Sequence, residues 1–88
     1  MDIEKAREAA RALLADSQKD HRVRLSRRTE NTLLFVAEPQ SDELQFGGTV
    51  FLVDTDTGQV TPTIMPMLTS MLGSMTVVEG DVDPKHPS

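Results

Sequence analysis

Asp54 and Asp56 stand two residues apart in the stretch "FLVDTDTGQV", residues 51–60. Two carboxylates at alternate positions ahead of a glycine offer two kinds of chemistry. Their oxygens could open a calcium loop. Alternatively, Asp56 could meet its counterpart from a second copy, so that two carboxyls share a proton and divide the roles of acid and base. The calcium reading fails on spacing. An EF-hand loop takes oxygens at positions 1, 3 and 5, Gly at 6 and a bidentate Glu at 12. Counted from Asp54, the fifth position is Gly58 and the twelfth is Met65.

Asp56-Thr57-Gly58 is similar to the triplet that carries the catalytic carboxylate of aspartic proteases. Retroviral members of that family are of comparable length and build one site from two copies. The apolar lead-in Val50-Phe51-Leu52-Val53 is present. However, Gln59 stands where the family carries Ala or Ser, and Asp56 lies past the middle of the chain rather than in its first third. The family's later apolar-apolar-Gly-Arg segment is missing, since residues 31–84 contain no Arg. A homodimeric protease using Asp56 remains the enzymatic alternative. A hairpin asks for less. Asp and Thr side chains bond readily to nearby backbone in turns. Gly58 supplies a positive φ at the end of a type I turn with a G1 bulge. Val53 and Val60 then continue apolar strands on either side. The expectation is therefore a turn built for backbone reasons.

Other chemistry-bearing residues read as structural. Arg22, Arg24 and Arg28 fall on one face of an alternating stretch. Nucleic-acid binders add aromatic platforms or more charge, and this chain has no Trp or Tyr. Pairing with acidic residues on neighbouring strands is the expected role of these arginines. Met67, Met71 and Met75, with Leu68 and Leu72, form a stripe at helical spacing that fills core or lines an adaptable surface. His21 and His86 lack an evident partner and are expected at the surface. No Ser stands in a nucleophile-elbow context and no glycine loop fits a phosphate. No catalytic, cofactor-binding or metal-ligating residue is assigned, and the residues that bind a partner are not identified.

The elements that hold these residues follow from periodicity. Asp2 caps a helix expected over residues 2–16, with Ile3, Ala6, Ala10, Leu13 and Leu14 on one face. Glu4 with Arg7 and Glu8 with Arg11 make i,i+3 pairs on its wet side. His21–Arg28 alternates as a half-buried strand, with Val23 and Leu25 inward. Thr29-Glu30-Asn31 makes a turn. Thr32–Ala37 is a continuous apolar run, expected as a strand covered on both faces. Residues 38–43 read as a loop, and Gly47-Gly48 breaks the chain before the strand Thr49–Val53. Gln59–Thr63 is its hairpin partner, short or at an edge because Pro62 cannot donate to a ladder. Pro66 suits the first turn of a short Met-rich helix.

Composition bounds the whole. The 88 residues allow one domain and include no Cys, hence no disulfide framework or thiolate metal site. The charged start, Met1-Asp2-Ile3-Glu4-Lys5, lacks the apolar core of a signal peptide. No apolar run approaches the roughly twenty residues of a membrane span, so the expectation is a cytoplasmic protein with no membrane partner. Net charge is -5, unevenly spread. Residues 31–88 hold only Lys85 against Glu38, Asp42, Glu43, Asp54, Asp56, Glu79, Asp81 and Asp83. That half is unsuited to phosphate binding. An acidic surface keeps a small protein soluble and also steers a basic protein partner.

Two stretches, "EKAREAARALL" near the start and "GGTVFLVDTDTGQVTPT" over residues 47–63, resemble the small bacterial immunity proteins numbered thirty-five among the polymorphic-toxin systems. That family includes a heat-stable chaperone-like enterobacterial protein. Its members carry a Gly, an apolar strand, Val-Asp, a Thr-Gly turn and an apolar-polar strand. Val53, Asp54, Thr57, Gly58 and Val60 match this pattern, and the resemblance covers roughly residues 2–63. The family's middle strand carries aromatics, often Trp, where this chain has only Phe35. The resemblance implies a non-enzymatic protein that binds and blocks a toxin domain.

The combined expectation is an α+β fold: an N-terminal helix packed on an antiparallel sheet of about four strands, with a short Met-rich helix near the C-terminus. Residues 1–78 form a single α+β domain and 79–88 a flexible tail with little to bury. The expected function is a small protein-binding module without cofactor, taking a protein partner such as a basic toxin domain. A homodimer of structural role is the other non-enzymatic alternative, because a small core often needs such support.

Overall fold

The computed structural model describes residues 2–38, 49–64 and 68–85. The fold is α+β, in the order α1 (Ile3–Arg11), β1 (Arg22–Arg28), β2 (Thr32–Glu38), β3 (Thr49–Asp54), β4 (Val60–Ile64), α2 (Thr69–Leu72) and β5 (Thr76–Val77), with a 3-10 turn at Asp16–Gln18. The strands form one antiparallel sheet in the order β4-β3-β2-β1-β5. The sheet has five strands rather than about four, because the two-residue β5 adds outside β1 at Arg27 and Arg28. Of the loop expected over residues 38–43, Glu38 instead ends β2; the rest of it, with Gly47-Gly48, Pro66, Met67 and His86, lies outside the described residues.

Asp2 caps α1 as expected, its Oδ1 accepting the Lys5 N–H at 2.7 Å. The helix ends at Arg11, short of residue 16. Beyond it the bonds tighten to i→i−3, with Leu13 N–H to Ala10 C=O and Leu14 N–H to Arg11 C=O. That tighter turn carries Leu14 into the core and leaves Leu13 48% exposed. Ala6 and Ala10 are fully buried, and their small side chains let the helix lie close on the sheet. The core on this face joins Ala6, Ala10 and Leu14 to Val23, Leu25, Leu33, Phe35, Ala37, Phe51 and Val53. Burying each large apolar side chain contributes about 1.5–3 kcal/mol.

β2 lies in the middle of the sheet, which explains its unbroken apolar run. Phe35 faces α1. Leu34, on the other face, packs with Val50, Leu68 and Met75. The Met-rich segment supplies this second cover, but its helix is only four residues long. Met75 is core at 6% exposure, whereas Met71 stands 41% exposed.

A bulge divides β1. The register passes from Leu25↔Phe35 to Arg27↔Leu34 and leaves Ser26 unpaired with β2. An extra residue reverses which side chains face which way. Arg27 therefore shares a face with Arg22 and Arg24, and Arg28 joins Leu33 on the α1 face. This corrects the expected set of Arg22, Arg24 and Arg28. The expected pairing role holds for Arg24, whose Nη2 lies 2.8 Å from Glu38 Oε1. That hydrogen bond raises the Arg24 pKa, with burial opposing it.

Candidate functional site

The β3–β4 turn settles what the residues around Asp56 do locally. Asp54 N–H bonds to Gln59 C=O at 2.9 Å, and Gly58 N–H to Asp54 C=O at 2.7 Å. Asp54 Oδ1 accepts the N–H of Asp56 at 2.8 Å and of Thr57 at 3.2 Å, and Thr57 Oγ1 accepts that of Gln59 at 3.2 Å. Gly58 has φ 77°, the left-handed region expected of it. The closing bond spans one residue more than a type I turn. Asp56 itself is exposed.

This turn forms one wall of an open cleft of about 630 Å³. The first turn of α1 contributes Asp2, Ile3 and Glu4. The β1 end and the β1–β2 turn contribute Arg28, Thr29 and Glu30, the start of β2 contributes Leu33, and the hairpin contributes Thr55 and Asp56. The two turns are tied together, since Thr55 N–H donates to Asn31 C=O at 2.9 Å. The β1–β2 turn is fixed by Thr29 N–H to Thr32 C=O at 2.8 Å and Thr32 N–H to Thr29 Oγ1 at 3.1 Å. Ile3 and Leu33 give the cleft an apolar element. Asp2, Glu4, Glu30 and Asp56 stand exposed around it, with Arg28 the cation among its lining residues. Glu4 is engaged with Arg7 at 3.0 Å. Glu30 and Asp56 hold no ion pair among the described residues.

Among the described residues no group of three or more His, Asp or Glu could hold a metal ion. No described helix is long and apolar enough to cross a membrane. His21, expected at the surface, is buried at 6% exposure, with its Nδ1 3.3 Å from Asp20 Oδ1.

A polar network along α1 was hidden from the sequence reading. Arg7, expected on the wet side of the helix, is fully buried. Its Nη2 donates to Asp81 Oδ1 at 2.6 Å and Oδ2 at 2.7 Å, and its Nη1 to Val82 C=O at 3.1 Å. The guanidinium carbon lies 5.8 Å from the Phe35 ring centroid, within cation–π range. Arg11 Nη2 donates to Asp83 Oδ1 at 2.6 Å. The same carboxylates serve the outer edge of β1. Asp83 Oδ2 accepts the Val23 N–H at 2.9 Å, and Asp81 Oδ2 accepts the Leu25 N–H at 2.8 Å. Burial works to raise the Asp83 pKa, but the bonds from Arg11, Val23 and Lys85 hold it below its ordinary value. Residues 79–85, expected as part of a tail with little to bury, thus include an aspartate only 2% exposed. Comparison with family models, with curated proteins and with solved structures gives no match.

Proposed function

We propose that the chain is a small non-enzymatic protein-binding module, of the toxin-neutralising immunity kind that its sequence resembles, working in the cytoplasm. The observation that carries this reading is the cleft, where the exposed Glu30 and Asp56, without an ion pair among the described residues, flank the apolar Ile3 and Leu33. Such a surface suits a basic segment of a protein partner. Opposite charge accelerates encounter, and the half-buried Ile3 supplies apolar contact area above the buried Leu33. Three separate segments converge on the cleft, and two of them, the β1–β2 and β3–β4 turns, are bonded to each other, so it offers a preformed surface. The test is co-purification of the tagged chain from its native host, followed by mass spectrometry. The expected result is one stoichiometric partner with a basic domain, lost from the Glu30→Lys/Asp56→Lys variant. Recovery of no partner, or of a partner indifferent to both charge reversals, counts against the reading.

A second reading is a homodimer through the Met-rich segment. Met71 and Val77 favour it, standing 41% and 54% exposed. Sedimentation of the purified chain separates the two readings.

A further inference from the structure

The outer edge of β1 is closed in an unusual way. A sheet edge presents N–H and C=O groups that another strand would normally pair. Here β5 pairs only at Arg27 and Arg28, and Val78 N–H bonds to Ser26 C=O at 2.9 Å. From Glu79 to Lys85 no backbone-to-backbone bond to β1 follows among the described residues. The Val23 and Leu25 amides are instead met by the side chains of Asp83 and Asp81. The match is one of spacing. Two carboxylates two residues apart meet two amides two residues apart, running antiparallel. Arg7 and Arg11, one helical turn apart on α1, meet the same two carboxylates from the other side.

We propose that the groove between α1 and the outer edge of β1 is a docking site for an extended acidic peptide, whose alternate carboxylates bind Arg7, Arg11 and the amides of Val23 and Leu25, and that Asp81-Val82-Asp83 occupies it in cis as a pseudo-ligand. The receptor side is prebuilt on a helix and a strand. It also keeps unused capacity, because Arg7 Nε and Arg11 Nη1 are buried without an acceptor among the described residues. The occupying segment is held by charge and hydrogen bonds rather than by apolar burial, since Val82 is 48% exposed. Gly80, at φ +80° with open space where a Cβ would stand, precedes it and gives the chain a turning point. A partner presenting an acid-x-acid segment makes the same bonds once residues 81–83 lift away. This surface is separate in charge and chemistry from the proposed basic-partner cleft, and its test does not depend on that partner.

The experiment uses the full chain, wild type and Asp81→Asn/Asp83→Asn. The probe is a fluorescein-labelled peptide of residues 77–85 and its counterpart carrying the same two substitutions. Fluorescence anisotropy is expected to show the acidic peptide binding the double variant, with the amide peptide at least about tenfold weaker. Binding to wild type is expected to be weaker on the order of 100-fold, the advantage of a tethered competitor. A folded double variant that binds neither peptide, or both alike, overturns the proposal. If the double variant is unfolded by circular dichroism, the acidic peptide is expected to restore the folded spectrum, because binding the native state pulls the equilibrium. Failure to restore it overturns the proposal equally.

Discussion

Asp83 shows how much one side chain can hold in a chain of this size. Its carboxylate meets Arg11, the Val23 amide and the Lys85 amide while almost wholly buried. Removing one partner of such a pair strands the other, and Asp83→Ala is expected to cost about 3 kcal/mol in urea denaturation. The pH dependence follows from the direction of the shift. The folded-state pKa lies below the unfolded one, so the contribution is complete above about pH 4 and is lost as pH falls through the lower folded value. Stability of the wild type should therefore fall more steeply below pH 4 than that of Asp83→Asn. The turn offers a cleaner case. Gly58→Ala forces a Cβ into the left-handed region and is expected to cost about 1 kcal/mol, read as a shift in the urea midpoint. Gly58 was legible because its reason is local, four residues from Asp54. Arg7 was not. Helical periodicity assigns it to solvent, and the carboxylate that buries it lies 74 residues away.

At the level of elements, hydrophobic period placed α1 and four strands, and the bulge in β1 explains the one arginine set on the wrong face. "RVRLSRR" alternates only as far as Ser26, and Arg27 then stands where the period calls for an apolar residue, but that break does not say which residue is extra. Only the pairing with β2 does. β5 was illegible for a related reason. Two residues carry no period, and Thr76–Val77 is a strand only because β1 offers an edge beside it. Pro62 is the opposite case, since its chemistry asked for a short strand or an edge, and β4 lies at an edge. The ladder says which side. Asp54 bonds to Gln59, and bonded pairs alternate along an antiparallel ladder. The Phe51↔Pro62 pair is then non-bonded, and Pro62 presents its missing donor outward. Pro62→Thr restores that donor and is expected to produce concentration-dependent association in sedimentation, with the circular dichroism spectrum of the wild type.

Across the whole molecule, the α+β layout was readable because helix and strands are separated by clear changes of period. The cleft was not readable, because it is assembled from three turns that meet only in the fold. Its carboxylates come from three stretches of the chain, Asp2 with Glu4, then Glu30, then Asp56. If the cleft takes a basic partner, Glu30→Lys/Asp56→Lys should slow association more than it speeds dissociation. Wild-type association should also weaken as salt screens the field. Surface plasmon resonance at two ionic strengths reads both.

Pro62 also limits how far copies of this chain could polymerise. A sheet that can recruit a neighbour on both sides grows without end, whereas one that can recruit on a single side stops at a closed pair. The β4 side lacks its central outward donor, and the β1 side is covered by residues that can be exchanged. Any assembly that begins by uncovering β1 therefore ends at two copies, and a fibre requires a second change at Pro62.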